Sequence, residues 1–284
     1  MIVFPNCKIN LGLNIVHKRN DGYHDLETIF YPLTLCDALE VVEHAAPHQS
    51  KVDYDSFVRL SISGETIDVA PRENLCMKAY SQLKNKFPEI PPVRMHLHKS
   101  IPPGSGLGGG SADGVFTLQL LNDNFLLGLT IEQLLDQALQ LGSDCPFFII
   151  NKPCFATGRG EFLERVTVDL SAYKIVLVVP PIHVSTAEAF SSVKPAQPSE
   201  SIKEIIQRPV DTWAQKLKND FEESVFNKYP ELGNVKDQLY KAGAIYSSLS
   251  GSGSAVYGIF RRDDSPNLPF GPKYFLKELI SKSQ

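Results

Sequence analysis

The sequence predicts an α+β protein of two domains. Three observations carry that prediction: strand-like and helical patterns mix without strict alternation, a glycine cluster stands between a strand and a helix, and the texture changes in the second half. The length of 284 residues, at roughly 150 per domain, agrees with two domains. The cut is expected near Arg159-Gly160, giving domains 1–160 and 161–284. Hydrophobic residues make up 43% and charged residues 21% of the chain, so disorder and fibrous structure are excluded. Net charge is −4, which disfavours a dedicated nucleic-acid or anionic-membrane partner. Five scattered cysteines, Cys7, Cys36, Cys76, Cys145 and Cys154, form no C-x-x-C pair, so neither a disulfide framework nor a zinc knuckle is indicated. Ile175–Val179, the longest apolar run, is far short of the about 20 residues a membrane span needs. Lys8 lies inside the first patterned segment and no signal-peptide pattern precedes it, so the expected location is cytoplasmic.

Cys7, Ile9, Leu11, Leu13 and Ile15 alternate with Lys8, Asn10, Gly12 and Asn14, which predicts a strand with one buried face. Lys8 and Asn10 then project side by side from the polar face. A turn at Arg19-Asn20-Asp21-Gly22 leads through Tyr23 and His24 into a second strand containing Leu26, Thr28, Phe30 and Tyr31. Residues 44–71 read as short strands and turns, with one strand at 57–62 and a hairpin candidate at Ser63-Gly64-Glu65-Thr66. Glu73-Asn74 opens a helix reaching about Lys86, which Pro88 stops. Val93, Met95 and Leu97 alternate with Arg94, His96 and His98, another half-buried strand whose histidines read as surface residues. A helix with the stripe Val115, Leu118 and Leu121 starts near Ser111, and a further helix runs from Ile131 to Leu141, closed by Gly142 as a C′ glycine. In the second half, Ile175–Val179 is a strand, 192–200 a surface loop, and 201–242 largely helical. Ser250-Gly251-Ser252-Gly253-Ser254 feeds the strand Ala255–Phe260.

The sharpest local signal is Gly104-Ser105-Gly106-Leu107-Gly108-Gly109-Gly110-Ser111. Five glycines in seven positions let backbone N–H groups turn inward around an anion, and the following helix aims its own N–H groups at the same spot. Phosphate binding is expected. A Walker A loop would need a terminal Gly-Lys-Ser/Thr, which is absent. The dinucleotide pattern G-x-G-x-x-G matches at Gly104, Gly106 and Gly109, but the preceding strand carries Arg94, His96, His98 and Lys99, where a central parallel strand should be apolar. The protein-kinase glycine loop also matches, without the H-R-D or D-F-G that should follow.

The stretch from Pro102 and Pro103 through Gly104, Ser105, Gly106, Leu107, Gly108, Gly109, Gly110 and Ser111 to Ala112 resembles the ATP-binding motif of the GHMP kinases, the superfamily of galactokinase, homoserine kinase and mevalonate kinase. Ser248–Ser254 resembles that family's third motif, and Leu141-Gly142-Ser143-Asp144-Cys145-Pro146-Phe147-Phe148 its catalytic-aspartate segment. Pro5-Asn6-Cys7-Lys8-Ile9-Asn10-Leu11 with Asp21-Gly22-Tyr23-His24 is similar to the N-terminal signature of one branch, acting in non-mevalonate isoprenoid biosynthesis. The resemblance implies a two-domain fold, with an N-terminal ATP domain like ribosomal protein S5 domain 2 and a C-terminal ferredoxin-like α/β sandwich. It implies ATP as cosubstrate, Mg2+ carried with ATP, no protein-held metal, and CDP-methylerythritol as the small-molecule substrate, phosphorylated on its 2-hydroxyl. It leaves monomer and homodimer open.

Phosphoryl transfer to an alcohol needs the γ-phosphate held, its charge neutralised, and the hydroxyl proton accepted. The resemblance assigns Lys8 and Asp144 as the catalytic pair, with Asp144 accepting the proton and Lys8 stabilising charge. Read alone, Asp144 would be a helix cap or turn residue and Lys8 a solvated surface lysine. Tyr23 and His24 match cytosine-recognising positions, Tyr23 by stacking and His24 by hydrogen bonds. Phe190 takes the place of a second stacking aromatic, and Asn10 a substrate contact or an orienting role. Asn74 reads as a cap with a secondary adenine contact. Alternatives are another GHMP kinase of homoserine or mevalonate type, a dinucleotide-dependent oxidoreductase, and a non-enzymatic nucleotide-binding module.

Overall fold

A computed structural model describes residues 1–44, 57–67 and 69–280; the remainder of the segment expected to form short strands and turns at 44–71 lies outside the described residues. The chain packs as two compact units, neither continuous in sequence. The first comprises Met1–Cys7, Leu35–Pro103 and Gly109–Asn151; the second comprises Lys8–Thr34, Gly104–Gly108 and Lys152–Gln284.

In the first unit a four-stranded sheet runs in the order β1 (Ile2–Val3), β4 (Ala38–Glu43), β6 (Val93–Lys99), β5 (Val58–Gly64). The hairpin expected at 63–66 does not form. β5 pairs with β6 in parallel, and parallel neighbours need a crossover rather than a tight turn. Helix α1 (Leu75–Lys86) supplies that crossover, opened by Asn74, whose side chain accepts the Cys76 N–H at 2.9 Å. Asn74→Ala is expected to lower stability by about 1 kcal/mol, the usual loss of an N-cap, measurable by urea unfolding. β6 alternates buried and exposed as its pattern predicts, and His96 and His98 lie on its exposed face against Ser61 and Ser63 hydroxyls.

Helix α2 (Gly109–Asn124) begins two residues earlier than expected, directly out of the glycine loop, and buries Val115, Leu118 and Leu121. Gly114, a weak helix former, is explained by packing: a Cβ there would lie 2.8 Å from the Leu75 Cβ of α1. Helix α3 (Ile131–Leu141) opens on a Thr130–Gln133 capping box. Gly142 does close α3, but with φ 175°, which is extended backbone and not the left-handed C′ geometry expected. Helix α4 (Cys145–Ile150) follows at once.

The second unit holds two sheets. One runs β2 (Asn6–Lys18), β3 (His24–Cys36), β7 (Cys154–Thr157), β8 (Phe162–Arg165); the other runs β10 (Tyr246–Leu249), β11 (Val256–Arg261), β9 (Tyr173–Val179), β12 (Phe275–Ile280). β7, β8 and β12 were not legible in the sequence pattern. β2 departs from the one-faced strand its alternation predicts: both parities are buried as far as Leu13, Lys8 and Asn10 included. Helices α5 (Thr186–Ser192), α6 (Ile202–Ile205), α7 (Phe221–Lys228) and α8 (Pro230–Lys241), with a 3-10 turn at Val210–Gln215, complete the unit. Phe221, Val225, Leu232, Val235 and Leu239 pack with Val176, Val178, Val256 and Phe260 into one apolar core. The second sheet has the strand–helix–strand–strand–strand order of a ferredoxin-like sandwich, except that residues 262–274 form no helix before β12.

Candidate active site

Within the second unit, the glycine loop residues Gly104–Gly108 meet strand β2. The Lys8 backbone N–H donates to the Leu107 carbonyl at 2.9 Å, and its ammonium to the Gly106 carbonyl at 3.1 Å. The same ammonium donates to Asn10 Oδ1 at 2.6 Å and lies 5.2 Å from the Phe30 ring centroid. Lys8 is therefore buried and oriented, not the solvated lysine that its polar-face position alone would suggest. Asn10 is fixed in turn: its amide donates to Thr28 Oγ1, Thr28 donates to the Gly12 carbonyl, and the Tyr257 hydroxyl donates to the Asn10 carbonyl.

The 250–254 loop closes over the other side of Gly106. Ser250 Oγ donates to the Gly106 carbonyl at 2.9 Å, and the Ala255 N–H to the Ser105 carbonyl at 2.9 Å. Gly106 has φ +79°, and a Cβ there would stand 2.0 Å from the Ser250 carbonyl oxygen. Only glycine fits. The 249–251 backbone hangs from one short stretch that the sequence reading passed over. Asn219 Nδ2 donates to the Leu249 and Gly251 carbonyls, Glu222 accepts from the Leu249 N–H and Ser248 hydroxyl, and Asp220 accepts from the Ile15 N–H of β2. Nothing in the local pattern of Asn219-Asp220-Phe221-Glu222 distinguishes it from a helix start, because these partners in β2 and in 248–251 are more than 25 residues away in sequence.

His24 and Phe190 come together, with ring centroids 5.1 Å apart and planes 25° from parallel. Phe190 also meets Phe221 edge-on. Burial, with the Lys18 charge adding to it, lowers the His24 pKa below the ordinary imidazole value, so the ring is neutral at pH 7. Tyr23 is exposed on the β2–β3 turn, and its ring faces the Arg159 guanidinium at 4.8 Å.

In the first unit, Asp144 occupies the N-cap position of α4 but makes no capping bond. Its Oδ1 instead accepts the Ser111 hydroxyl of α2 at 2.9 Å. Pro102, Pro103, Gly109, Gly110, Ser111 and Ala112 lie in this unit, Ala112 buried in α2; so does Asn74, whose carboxamide oxygen serves as the cap. Lys8 and Asp144 belong to different units, each with the surroundings given above. The neighbouring thiol is no nucleophile: burial, with the Asp144 charge adding to it, pushes Cys145 well above the ordinary thiol value. Burial likewise holds Cys76 up at about 12 and Cys154 at about 11.

Among the described residues no group of three or more His, Cys, Asp or Glu could hold a metal ion, and no helix is long and apolar enough to cross a membrane. The mixed sheet of the first unit, antiparallel at β1–β4–β6 and parallel only at β5–β6, is not the doubly wound parallel sheet of a dinucleotide enzyme.

The 104–108 glycine loop, bonded by a buried lysine and by a second Gly/Ser loop, is the arrangement expected of a small-molecule kinase of the GHMP type. The family described as GHMP kinases N terminal domain matches residues 74–152, and GHMP kinases C terminal matches 201–268. A Bacteroides fragilis relative named 4-diphosphocytidyl-2-C-methyl-D-erythritol kinase is 52% identical over 264 residues, 93% of each chain. One of the same name from Bacteroides thetaiotaomicron is 47% identical over 276 residues, 97% of this chain and 98% of that one. The chain belongs to the 4-diphosphocytidyl-2-C-methyl-D-erythritol kinase family of the GHMP kinases. A crystal structure of 4-(cytidine 5'-diphospho)-2C-methyl-D-erythritol kinase is 28% identical, with TM-score 0.74 over 99% of this chain and 100% of that one. Methanococcus jannaschii mevalonate kinase, 13% identical at TM-score 0.68 over 99% of this chain and 98% of that one, shares the fold. ATP use follows from the family.

Proposed function

We propose that this protein transfers the γ-phosphate of ATP to the 2-hydroxyl of 4-diphosphocytidyl-2-C-methyl-D-erythritol, giving the 2-phosphate and ADP, in non-mevalonate isoprenoid precursor biosynthesis. The observation that carries this reading is the name shared by relatives at 47 to 52% identity over nearly the whole chain. The buried Lys8, its ammonium bound to the loop backbone, supports it independently.

Asp144 accepts the proton of the 2-hydroxyl as the oxygen–phosphorus bond forms and the bond to the ADP oxygen breaks. Its carboxylate is aimed by the Ser111 hydroxyl rather than engaged as a cap. Lys8, held by Asn10 and the Gly106 carbonyl, stabilises charge on the phosphoryl oxygens; Asn10 positions it. The stretch Pro102–Ala112 takes the ATP phosphates, with Asn74 adding an adenine contact to its capping role. Mg2+ carried with ATP would supply charge neutralisation. It would be held mostly by phosphate and water, with the Ser111 and Asp144 oxygens as the hard donors the protein could add.

Cytosine is read by His24, in whose neutral ring one nitrogen donates and the other accepts, with Phe190 and Tyr23 providing aromatic faces. His24→Ala is expected to raise the KM for the cytidine substrate about tenfold or more, leaving the ATP KM unchanged, because a hydrogen-bonding edge is lost. In the wild type that KM should be flat at and above neutral pH. It should rise on acidification below the ordinary imidazole value of 6.5, since a lowered pKa means the ring charges only there. Steady-state kinetics from pH 5 to 8 checks both.

Residues 1–160 and 161–284 are proposed as the evolutionary domains, the two family matches falling on either side of that cut. The proposed location is the cytoplasm and the proposed assembly a monomer or homodimer, with no nucleic-acid partner. The deciding experiment is phosphate transfer from labelled ATP across CDP-methylerythritol, mevalonate and homoserine. Transfer to the cytidine ester alone is expected; preferred transfer to either of the others overturns the assignment.

A further inference from the structure

The segments flanking the glycine loop carry a buried ionic cluster that no step above uses. Lys99, the last residue of β6, falls on the inward parity of that strand. Its ammonium bonds Asp37 Oδ2 and, at 2.7 Å, Asp113 Oδ2 in α2; the three side chains are 2%, 0% and 4% exposed. Asp37 Oδ1 accepts the Ser100 N–H at 2.6 Å and the Ile101 N–H at 2.9 Å. Gly109, first residue of α2, lies against both: a Cβ there would stand 2.9 Å from Ile101 Cγ2 and 3.3 Å from Lys99 Nζ. Residues 99–101, before the loop, and 109–113, after it, are thus joined through one ammonium.

A buried ionic trio is a poor way to add stability, since apolar side chains of equal volume do as well or better. What charge adds is direction, because Asp37 fixes two backbone N–H groups at set angles. Only one negative charge is needed to balance Lys99. Burial, with the Asp37 charge adding to it, pushes the Asp113 carboxyl up to about 8 against the pull of Lys99, and its Oδ1 has no hydrogen-bond partner among the described residues.

We propose that the Asp37–Lys99–Asp113 cluster clamps the two ends of the nucleotide loop, with Lys99 and Asp37 as positioning residues for ATP. This rests on the loop being the ATP site. Closing residues 102–108 into a fixed ring in advance removes an ordering cost that nucleotide binding would otherwise bear.

Three variants test it: Lys99→Met; Asp113→Leu, which removes the tie to α2 while Lys99 stays balanced by Asp37; and Asp113→Asn, which keeps an acceptor for the ammonium. Lys99→Met and Asp113→Leu should raise the ATP KM about tenfold or more with the cytidine-substrate KM unchanged. Both should also speed amide hydrogen exchange across 102–111 without ATP. Asp113→Asn should restore both readouts to within about twofold of wild type. Should Lys99→Met fail to fold, the Leu–Asn contrast at 113 decides. A lower melting temperature with wild-type ATP KM and loop exchange would reduce the cluster to scaffolding and overturn the clamp. If ATP gives the wild type no thermal shift, the nucleotide assignment falls instead, and the exchange data still judge the clamp.

Discussion

Asp144→Asn is expected to lower kcat by on the order of 10²-fold or more while the ATP KM stays within a factor of about three. The asymmetry comes from what Asp144 does and does not hold. Its side chain makes no cap to α4, and its hydrogen bond from Ser111 can be kept by an Asn oxygen. The substitution is therefore expected to leave the start of α4 in place and to remove the proposed proton acceptor. Pre-steady-state measurement of ADP formation separates a slow chemical step from slow product release. Turnover near wild type would remove Asp144 from the chemistry, and a large rise in ATP KM would assign it to nucleotide binding instead.

Gly106→Ala should be more severe for binding and affect stability as well. The new Cβ would stand 2.0 Å from the Ser250 carbonyl oxygen, which is backbone and cannot swing aside, on a residue whose φ of +79° already disfavours a side chain. Either the 250–254 loop is displaced, breaking the Ser250–Gly106 and Asn219–Gly251 bonds, or residue 106 moves and withdraws the carbonyl that Lys8 holds. Both routes cost ATP affinity, with an expected rise in dissociation constant of about 10²-fold and a stability loss of about 2 kcal/mol or more. Calorimetric titration with ATP and urea unfolding measure the two. Wild-type affinity would mean the loop adopts another path.

The most legible parts of this chain were those governed by short-range rules. Periodicity located β6 and α1, and an unbroken apolar run located β9; the glycine cluster marked the start of α2 to within two residues; Pro88 and Gly142 marked the ends of α1 and α3. Edge strands without alternation, such as β8 and β12, left no such trace. The parallel pairing of β5 with β6 was hidden because Ser63-Gly64-Glu65 looks like a hairpin whether or not the next strand turns back. Lys99 was counted only among the polar residues of its strand, although its odd position puts it with Val93, Met95 and Leu97 on the buried face. Its partners, Asp37 and Asp113, lie 62 and 14 residues away, and nothing local announces them. For the candidate residues, resemblance supplied what pattern could not: Lys8 alternates like any surface lysine, and its burial comes from Gly106 and Asn10 closing around it.

The tetrapeptide at 219–222 acts as a shared abutment. It braces β2, the strand bearing Lys8, through Asp220, and the 249–251 backbone that flanks Gly106 through Asn219 and Glu222. Mechanical loosening at that point reaches the lysine and the nucleotide loop together. Damage there is therefore expected to register at Lys8 and at the 104–108 loop together, which distinguishes it from a lesion confined to either one.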